Sequence, residues 1–277
     1  MKVLYTACVF GSTDILRLTE ISTAWLRHRS NIYDIWLGVN DLKSVPEAYF
    51  KSFDELGVNL FEFAPTMSSD NWLTSMHARY SCASKFIDMF DVPFCLLEQD
   101  VFLLNPIGGS YFNATRPLFP RHYQLDYVGD FMVFVSDSKY SRTSMKLVNA
   151  CMNERLLSPE FIGNIISHRM DEDPTRIVST EEVLETISSC CNGLIDFYNF
   201  NDWSIPNTLP TASSAVAAMH NWQAIHMSRW SLRITNEEVV DTLMNMLYAG
   251  VSQVIKITKT DFNELLLGRD STVYFNN

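Results

Sequence analysis

The first 63 residues alternate between two hydrophobic periods, and that alternation narrows the fold more than any other feature of the chain. Residues 2–10 form a largely apolar run, Thr13 to His28 carries Ile15, Leu18, Ile21, Ala24 and Trp25 at three- and four-residue spacing, and Tyr33 to Val39 is apolar again. A continuous apolar run of that length reads as a strand covered on both faces, whereas the three-four spacing reads as a helix with one buried stripe. Ser12 or Thr13 is placed to cap that helix. Pro46 to Leu56 adds a short helix with Pro46 in its first turn, and Asn59 to Phe63 adds a third strand. Strand, helix, strand, helix, strand predicts an α/β fold, a mostly parallel doubly wound sheet with flanking helices. Ligands of such sheets sit beyond the carboxyl ends of the strands. The loop Val9 to Asp14 therefore falls at the binding edge, and no Gly-Lys-Ser/Thr phosphate loop accompanies it.

A second run, Phe94-Cys95-Leu96-Leu97-Glu98-Gln99-Asp100-Val101-Phe102-Leu103-Leu104, places two carboxylates in the middle of apolar sequence. An unpaired buried carboxylate is costly, so something cationic must meet these two. In an extended segment, residues i and i+2 point to one side, which lets Glu98 and Asp100 converge on one ion. Mg²⁺ or Mn²⁺ takes one or two carboxylates and fills its other positions with phosphate oxygens and water, so a nucleotide diphosphate on a divalent cation fits this pair. Arg79, on the helix expected over Ser69 to Phe90, is either a phosphate or base contact or an ion-pair partner of Glu98 or Asp100, and Lys85 of the same helix is expected nearby.

The Glu-Gln-Asp segment and its ending through Phe102 to Pro106 resemble the acidic DxD element of GT-A glycosyltransferases. His77-Ala78-Arg79-Tyr80-Ser81 resembles the helix that precedes that element in glycogenin-like transferases, and Ala224-Ile225-His226-Met227-Ser228-Arg229-Trp230 resembles their late His-containing motif. The resemblance implies a nucleotide-sugar donor with Mn²⁺ or Mg²⁺ held by Asp100, Glu98 and His226, with His220 as the rival imidazole. It implies donor contacts from Cys8, Phe10, Gly11, Arg79, Glu98, Arg229 and Trp230. Val128 to Val135, read as one strand, resembles the acceptor-side strand of these enzymes, with Asp130 where a Gly usually stands. Asp130, Asp126 and Asp202 are the candidate acceptor-side carboxylates, whether as general base or as hydroxyl ligands. Inversion and retention of the sugar's configuration both stay open. Two other functions use the same residues: a metal-dependent nucleotide-sugar hydrolase or pyrophosphatase, and a non-catalytic nucleotide-sugar-binding module.

No internal repeat or low-complexity linker divides the chain, so residues 1–277 are expected to form one domain, with 1–106 binding the nucleotide sugar and 107–277 the acceptor. After Pro106 the sequence is irregular through Tyr123; Ser138 to Leu157, Glu181 to Ser189 (capped by Thr180) and residues 237–249 read as helices. Asn192 to Pro210 reads as a loop whose Tyr198, Asn201, Asp202 and Trp203 are residue types that meet sugars. Residues 251–277 read as a strand, a short helix and a tail. Six cysteines lack Cys-x-x-Cys spacing, and neither a signal peptide nor an 18-residue apolar run appears, which points to a reducing cytoplasm without a membrane anchor. The acceptor is a hydroxyl of a glycan, a protein or a hydroxymethylated base in DNA, the last in the manner of bacteriophage DNA-modifying transferases. A net charge of −11 opposes DNA unless Arg116, Arg121, Lys139, Arg142, Lys146 and Arg155 line a local groove.

Overall fold

Side chains along β1 (Lys2–Ala7) alternate between two cores: Val3, Tyr5 and Ala7 enter one apolar cluster, and Leu4 with the following Cys8 enters another. This computed structural model describes residues 1–9, 13–65, 72–122, 127–157, 180–191, 193–199, 203–204 and 206–268. After β1 come α1 (Asp14–Arg29), β2 (Asp34–Val39), α2 (Glu47–Glu55), β3 (Val58–Glu62), α3 (Trp72–Met89), β4 (Phe94–Leu97) and β5 (Val101–Leu103). The chain continues through β6 (Leu118–His122), β7 (Tyr127–Val128), β8 (Met132–Val135), α4 (Lys139–Leu157), α5 (Thr180–Cys190), β9 (Asp196–Asn199) and β10 (Trp203–Ser204). It closes with α6 (Ala212–Asn221), β11 (Ala224–His226), α7 (Arg229–Arg233), α8 (Glu237–Val251) and α9 (Lys259–Leu267).

The main sheet runs in the order β3-β2-β1-β4-β8-β6-β7, with β9 also paired to β6. Strands β3, β2, β1 and β4 are mutually parallel, while β8 returns antiparallel to β4. The predicted doubly wound architecture is therefore present, as one domain. Cys95 and Leu97 of β4 point into the same core as Val3 and Tyr5; Phe94 and Leu96 point into the other. Helices α1 and α8 cover the first face, and α3, α4 and α5 cover the second. Burial on both faces explains why these strands are uninterrupted apolar runs, each fully buried Leu, Ile, Val or Phe contributing about 1.5–3 kcal/mol.

Several local expectations change. Thr13 precedes α1 without a side-chain cap, because its ψ of 4° takes it out of the extended backbone from which a cap side chain reaches the first turn; Ser12 lies outside the described residues. Pro46 stands just ahead of α2, and Thr180 is already helical in α5. The expected single strand Val128 to Val135 is split at Gly129-Asp130-Phe131, where the pairing with β6 changes register from Arg121 opposite Val128 to Leu118 opposite Phe134. The region expected to be irregular after Pro106 holds β6, and the Asn192 to Pro210 loop holds β9 and β10. Tyr198 belongs to the core: it is 7% exposed, and its hydroxyl donates to the Met132 carbonyl at 2.9 Å. Past α8 the chain forms turns and no strand among the described residues, because Ser252, Gln253 and Val254 N–H bond back to carbonyls of the helix end.

Close approach of α1 and α8 rests on Gly250. A Cβ there would stand 2.7 Å from Trp25 Cζ3 and 2.8 Å from His28 Cδ2, inside van der Waals contact. Ala favours a helix interior by about 1 kcal/mol over Gly. Overpacking costs about 1–3 kcal/mol and wins here because Trp25 is buried and its indole N–H is held by the Leu103 carbonyl, so that ring cannot swing away as the exposed His28 can. Gly250→Ala is thus expected to lower the urea midpoint, with the denaturant slope unchanged.

Candidate active site

Strand β4 ends where Glu98 begins a turn. Glu98 N–H donates to the Phe131 carbonyl at 2.9 Å, and Val101 N–H donates to the Glu98 carbonyl at 3.3 Å, so Glu98 to Val101 reverses the local direction before β5. The two acids converge because the backbone turns between them, and not because the segment is extended. Strand β11 then pairs antiparallel to β5 with His226 opposite Val101, and Met227 N–H donates to the Asp100 carbonyl at 2.8 Å. Pairing of strands more than 120 residues apart is what carries the imidazole to the carboxylates. His226 Nε2 lies 3.5 Å from Glu98 Oε2 and 3.5 Å from Asp100 Oδ1, and the Phe131 ring stacks on it with centroids 4.7 Å apart.

Glu98, Asp100 and His226 each offer one ligand atom, and these atoms lie within 4.8 Å of one another. Two carboxylates and one imidazole form a donor set that suits Mn²⁺ or Mg²⁺, and the side chains keep 16–27% exposure, which leaves a face open to further ligands. Burial holds the Glu98 carboxyl above its ordinary range, beyond what Arg79 returns. Burial also lifts Asp100, but the charge and hydrogen bond of His226 prevail and hold it low. Burial works against the His226 cation, yet Asp100 and Glu98 together raise its pKa.

Behind the acids, Arg79 is 5% exposed and pairs with Glu98 through Nη1. Its Nη1 also lies 3.3 Å from Asp130 Oδ2, and its Nη2 donates to the Asp130 carbonyl at 2.8 Å. Tyr80 hydroxyl donates to Asp130 Oδ2 at 3.2 Å. Of the two roles open to Arg79, the ion pair with Glu98 is formed, and the split in the expected β7–β8 strand is what turns Asp130 toward it.

Other expected residues are placed differently. Lys85 is exposed on the outer side of α3, beside Asn40 and Glu62. His220 is exposed at the end of α6, with its carbonyl accepting from Asn105 Nδ2 at 3.3 Å, and is not part of the cluster. Cys8 is buried just past β1. Phe10, Gly11, Asp126 and Asp202 lie outside the described residues; Arg229 and Trp230 open α7, but their side chains are likewise outside. Of the basic residues expected to line a groove, Arg116 pairs with Asp196 at 3.0 Å, Arg142 with Asp91 and Lys146 with Asp88, Arg121 lies over the Phe197 ring, Lys139 is exposed, and the Arg155 side chain lies outside the described residues. Among the described residues, no helix is long and apolar enough to cross a membrane.

Sequence reasoning passed over three residues that shape this site: Phe131, which supplies both a carbonyl for Glu98 and a ring for His226, Gln99 and Ser22. Gln99 is 7% exposed, its amide donating to the Thr6 carbonyl and its own carbonyl accepting from Ser22 hydroxyl. A polar residue between two acids at a strand end was the available signal, since a buried amide has to find partners.

No protein-family model matches the sequence, and no curated protein matches it. Solved structures do match in fold. The galactosyltransferase LgtC, crystallised with donor and acceptor sugar analogs, aligns with a TM-score of 0.57 at 10% identity over 94% of this chain and 98% of that one. The glycosyltransferase GlyE of Streptococcus pneumoniae TIGR4 aligns with a TM-score of 0.51 at 11% identity, covering 94% of this chain and 62% of that one. The fold is the GT-A fold of these glycosyltransferases.

Proposed function

We propose that this chain is a metal-dependent glycosyltransferase that moves a sugar from a nucleoside diphosphate donor to a hydroxyl acceptor. The observation that carries this reading is the convergence of Glu98, Asp100 and His226 at the carboxyl edge of the GT-A sheet. These three residues would hold Mn²⁺ or Mg²⁺, which neutralises charge on the departing diphosphate when bound. Arg79 occupies one Glu98 oxygen and leaves the other facing His226. Phe131 holds the imidazole plane against the turn.

In this reading Cys8, Phe10, Gly11, Arg229 and Trp230 line the donor side, and residues 107–277 supply the acceptor side along with His226. Asp130 anchors Arg79, which leaves Asp126 and Asp202 as the acceptor-facing carboxylates. A glycan or protein hydroxyl is the favoured acceptor: the net charge of −11 opposes nucleic acid, and Arg116, Arg142 and Lys146 are already paired. The sugar acceptor analog held by LgtC supports the same choice.

A thermal-shift panel of nucleoside diphosphates, with Mn²⁺ and with chelator, tests the donor half. A ligand at 100 times its Kd stabilises the folded state by about 2.7 kcal/mol. One diphosphate is expected to raise Tm by several degrees with Mn²⁺ and not with chelator. If every nucleotide leaves Tm unmoved, the transferase reading fails. Release of nucleoside diphosphate from the matching sugar nucleotide is then expected to accelerate on adding oligosaccharide acceptor; release indifferent to any acceptor would instead favour a hydrolase.

A further inference from the structure

We propose that Gln99, the residue between the two acids, is a positioning residue that clamps the metal turn to the sheet and to α1, and so sets the separation of Glu98 and Asp100. The inference rests on the metal-binding reading of those acids. Its starting point is the ladder between β1 and β4, which pairs Lys2, Val3 and Leu4 with Phe94, Cys95 and Leu96 and then stops. Continuing that register would bring Thr6 opposite Glu98 and aim its carbonyl at the main-chain N–H of Gln99, but the chain has begun to turn at Gln99 and the ladder is not extended. A Thr6 carbonyl left behind in a buried position needs another donor. Gln99 provides it, reaching back with its side-chain amide to take the place that a main-chain N–H would have filled.

The other half of the clamp comes from the opposite direction. Ser22, 1% exposed in the middle of α1, donates its hydroxyl to the Gln99 carbonyl. Gln99 is therefore gripped at side chain and main chain by two different elements, both on the buried side, while its neighbours project to the open side. The turn needs such a grip. Its main-chain hydrogen bond, from Val101 N–H to the Glu98 carbonyl, is long, at 3.3 Å, and it has to hold two carboxyl groups side by side. Arg79 pairs directly with Glu98, whereas the Asp100 carboxylate faces His226 and its own main-chain N–H, with Arg79 acting on it only through space. The clamp thus does for Asp100 what Arg79 does for Glu98: it removes freedom that ligand binding would otherwise have to overcome. Outer residues that orient metal ligands are commonly worth 10–100-fold in metal affinity.

The same clamp joins the metal turn to the end of β1, one residue before the strand stops and three before Val9 opens the donor-edge loop.

The test is Mn²⁺ binding by electron paramagnetic resonance on the full chain without nucleotide, at a temperature well below Tm. Three variants are compared with the parent: Gln99→Met, which keeps volume and loses the amide; Ser22→Ala, a milder change that cuts the other half; and Val148→Ala, which removes buried volume from the core on the opposite face of the sheet from α1. Gln99→Met is expected to bind Mn²⁺ 10–100-fold more weakly and Ser22→Ala several-fold more weakly, with Val148→Ala at parental affinity although its Tm falls. Parental affinity in Gln99→Met and Ser22→Ala overturns the clamp while leaving the transferase reading intact. Equal weakening in Val148→Ala also overturns it, since affinity would then follow global stability. A parent that binds no Mn²⁺, either alone or with the nucleoside diphosphates of the thermal-shift panel, overturns the metal reading itself, and the clamp with it.

Discussion

Asp100→Asn is expected to abolish Mn²⁺-dependent stabilisation by nucleoside diphosphate and to reduce turnover about 10³-fold or more. Asparagine matches aspartate in shape, and the main-chain bond from Met227 N–H to the Asp100 carbonyl survives the change, so the fold should hold. What disappears is the negative charge that faces His226 Nε2 at 3.5 Å and completes the three-ligand cluster. Losing one preorganised electrostatic partner of a leaving group typically costs 10²–10³ in rate, and losing a charged metal ligand adds the lost cation occupancy. Steady-state release of nucleoside diphosphate at saturating Mn²⁺, beside a thermal-shift titration, checks both parts. Wild-type turnover in Asp100→Asn would remove this carboxylate from the chemistry.

Arg79→Met carries the largest expected effect on stability. The Arg79 side chain is 6% exposed and lies between Glu98 and Asp130, the latter 3% exposed. Burial opposes its charge, but the two carboxylates more than compensate and raise its pKa above the usual guanidinium value. Removing one partner of a buried ionic group leaves the others unpaired, a loss of about 3–5 kcal/mol. Methionine fills most of the volume, so the loss measured by urea unfolding reports charge and hydrogen bonding more than a cavity. Adding Asp130→Asn and Glu98→Gln to Arg79→Met should recover part of the loss, because the stranded charges are then gone. No recovery in the triple variant would mean that packing, and not the ionic group, sets the cost.

These two experiments bear on different links of the same chain of causes. Arg79 is reached from α3, Asp130 from the break between β7 and β8, Glu98 and Asp100 from the β4–β5 turn, and His226 from β11. A defect in any one is felt at the cluster, yet only Asp100 and His226 are free of the Arg79 ion pair. Asp100→Asn therefore isolates ligand chemistry, and Arg79→Met isolates the scaffold beneath it.

Much of this arrangement was legible in the linear sequence. The strands β1 to β4 and the helices between them followed from hydrophobic period, because strands covered on both faces must be continuously apolar and α1 must show one stripe. Glu98 and Asp100 stood out because ionisable groups are expensive among buried leucines and phenylalanines. His226 was reachable only through resemblance. Nothing local distinguishes it from His220, six positions earlier, and the difference appears only when β11 pairs with β5 and α6 leaves His220 in solvent. Short, polar strands were invisible for a related reason. Asp196 to Asn199 has too few apolar residues to declare a period, and becomes a strand by pairing with β6.

Period and composition by themselves determined the α/β class, the parallel half of the sheet and the presence of two costly acids within it, because each follows from what a segment must bury. Tertiary structure alone decided which imidazole meets those acids, that Arg79 is tied to Glu98 and Asp130, and that Gln99 faces inward to replace a missing ladder bond. Those contacts join residues many positions apart at the ends of different strands. Their partners are set by strand register and turn geometry, which are cooperative properties of the packed sheet and leave no mark on any short stretch of sequence.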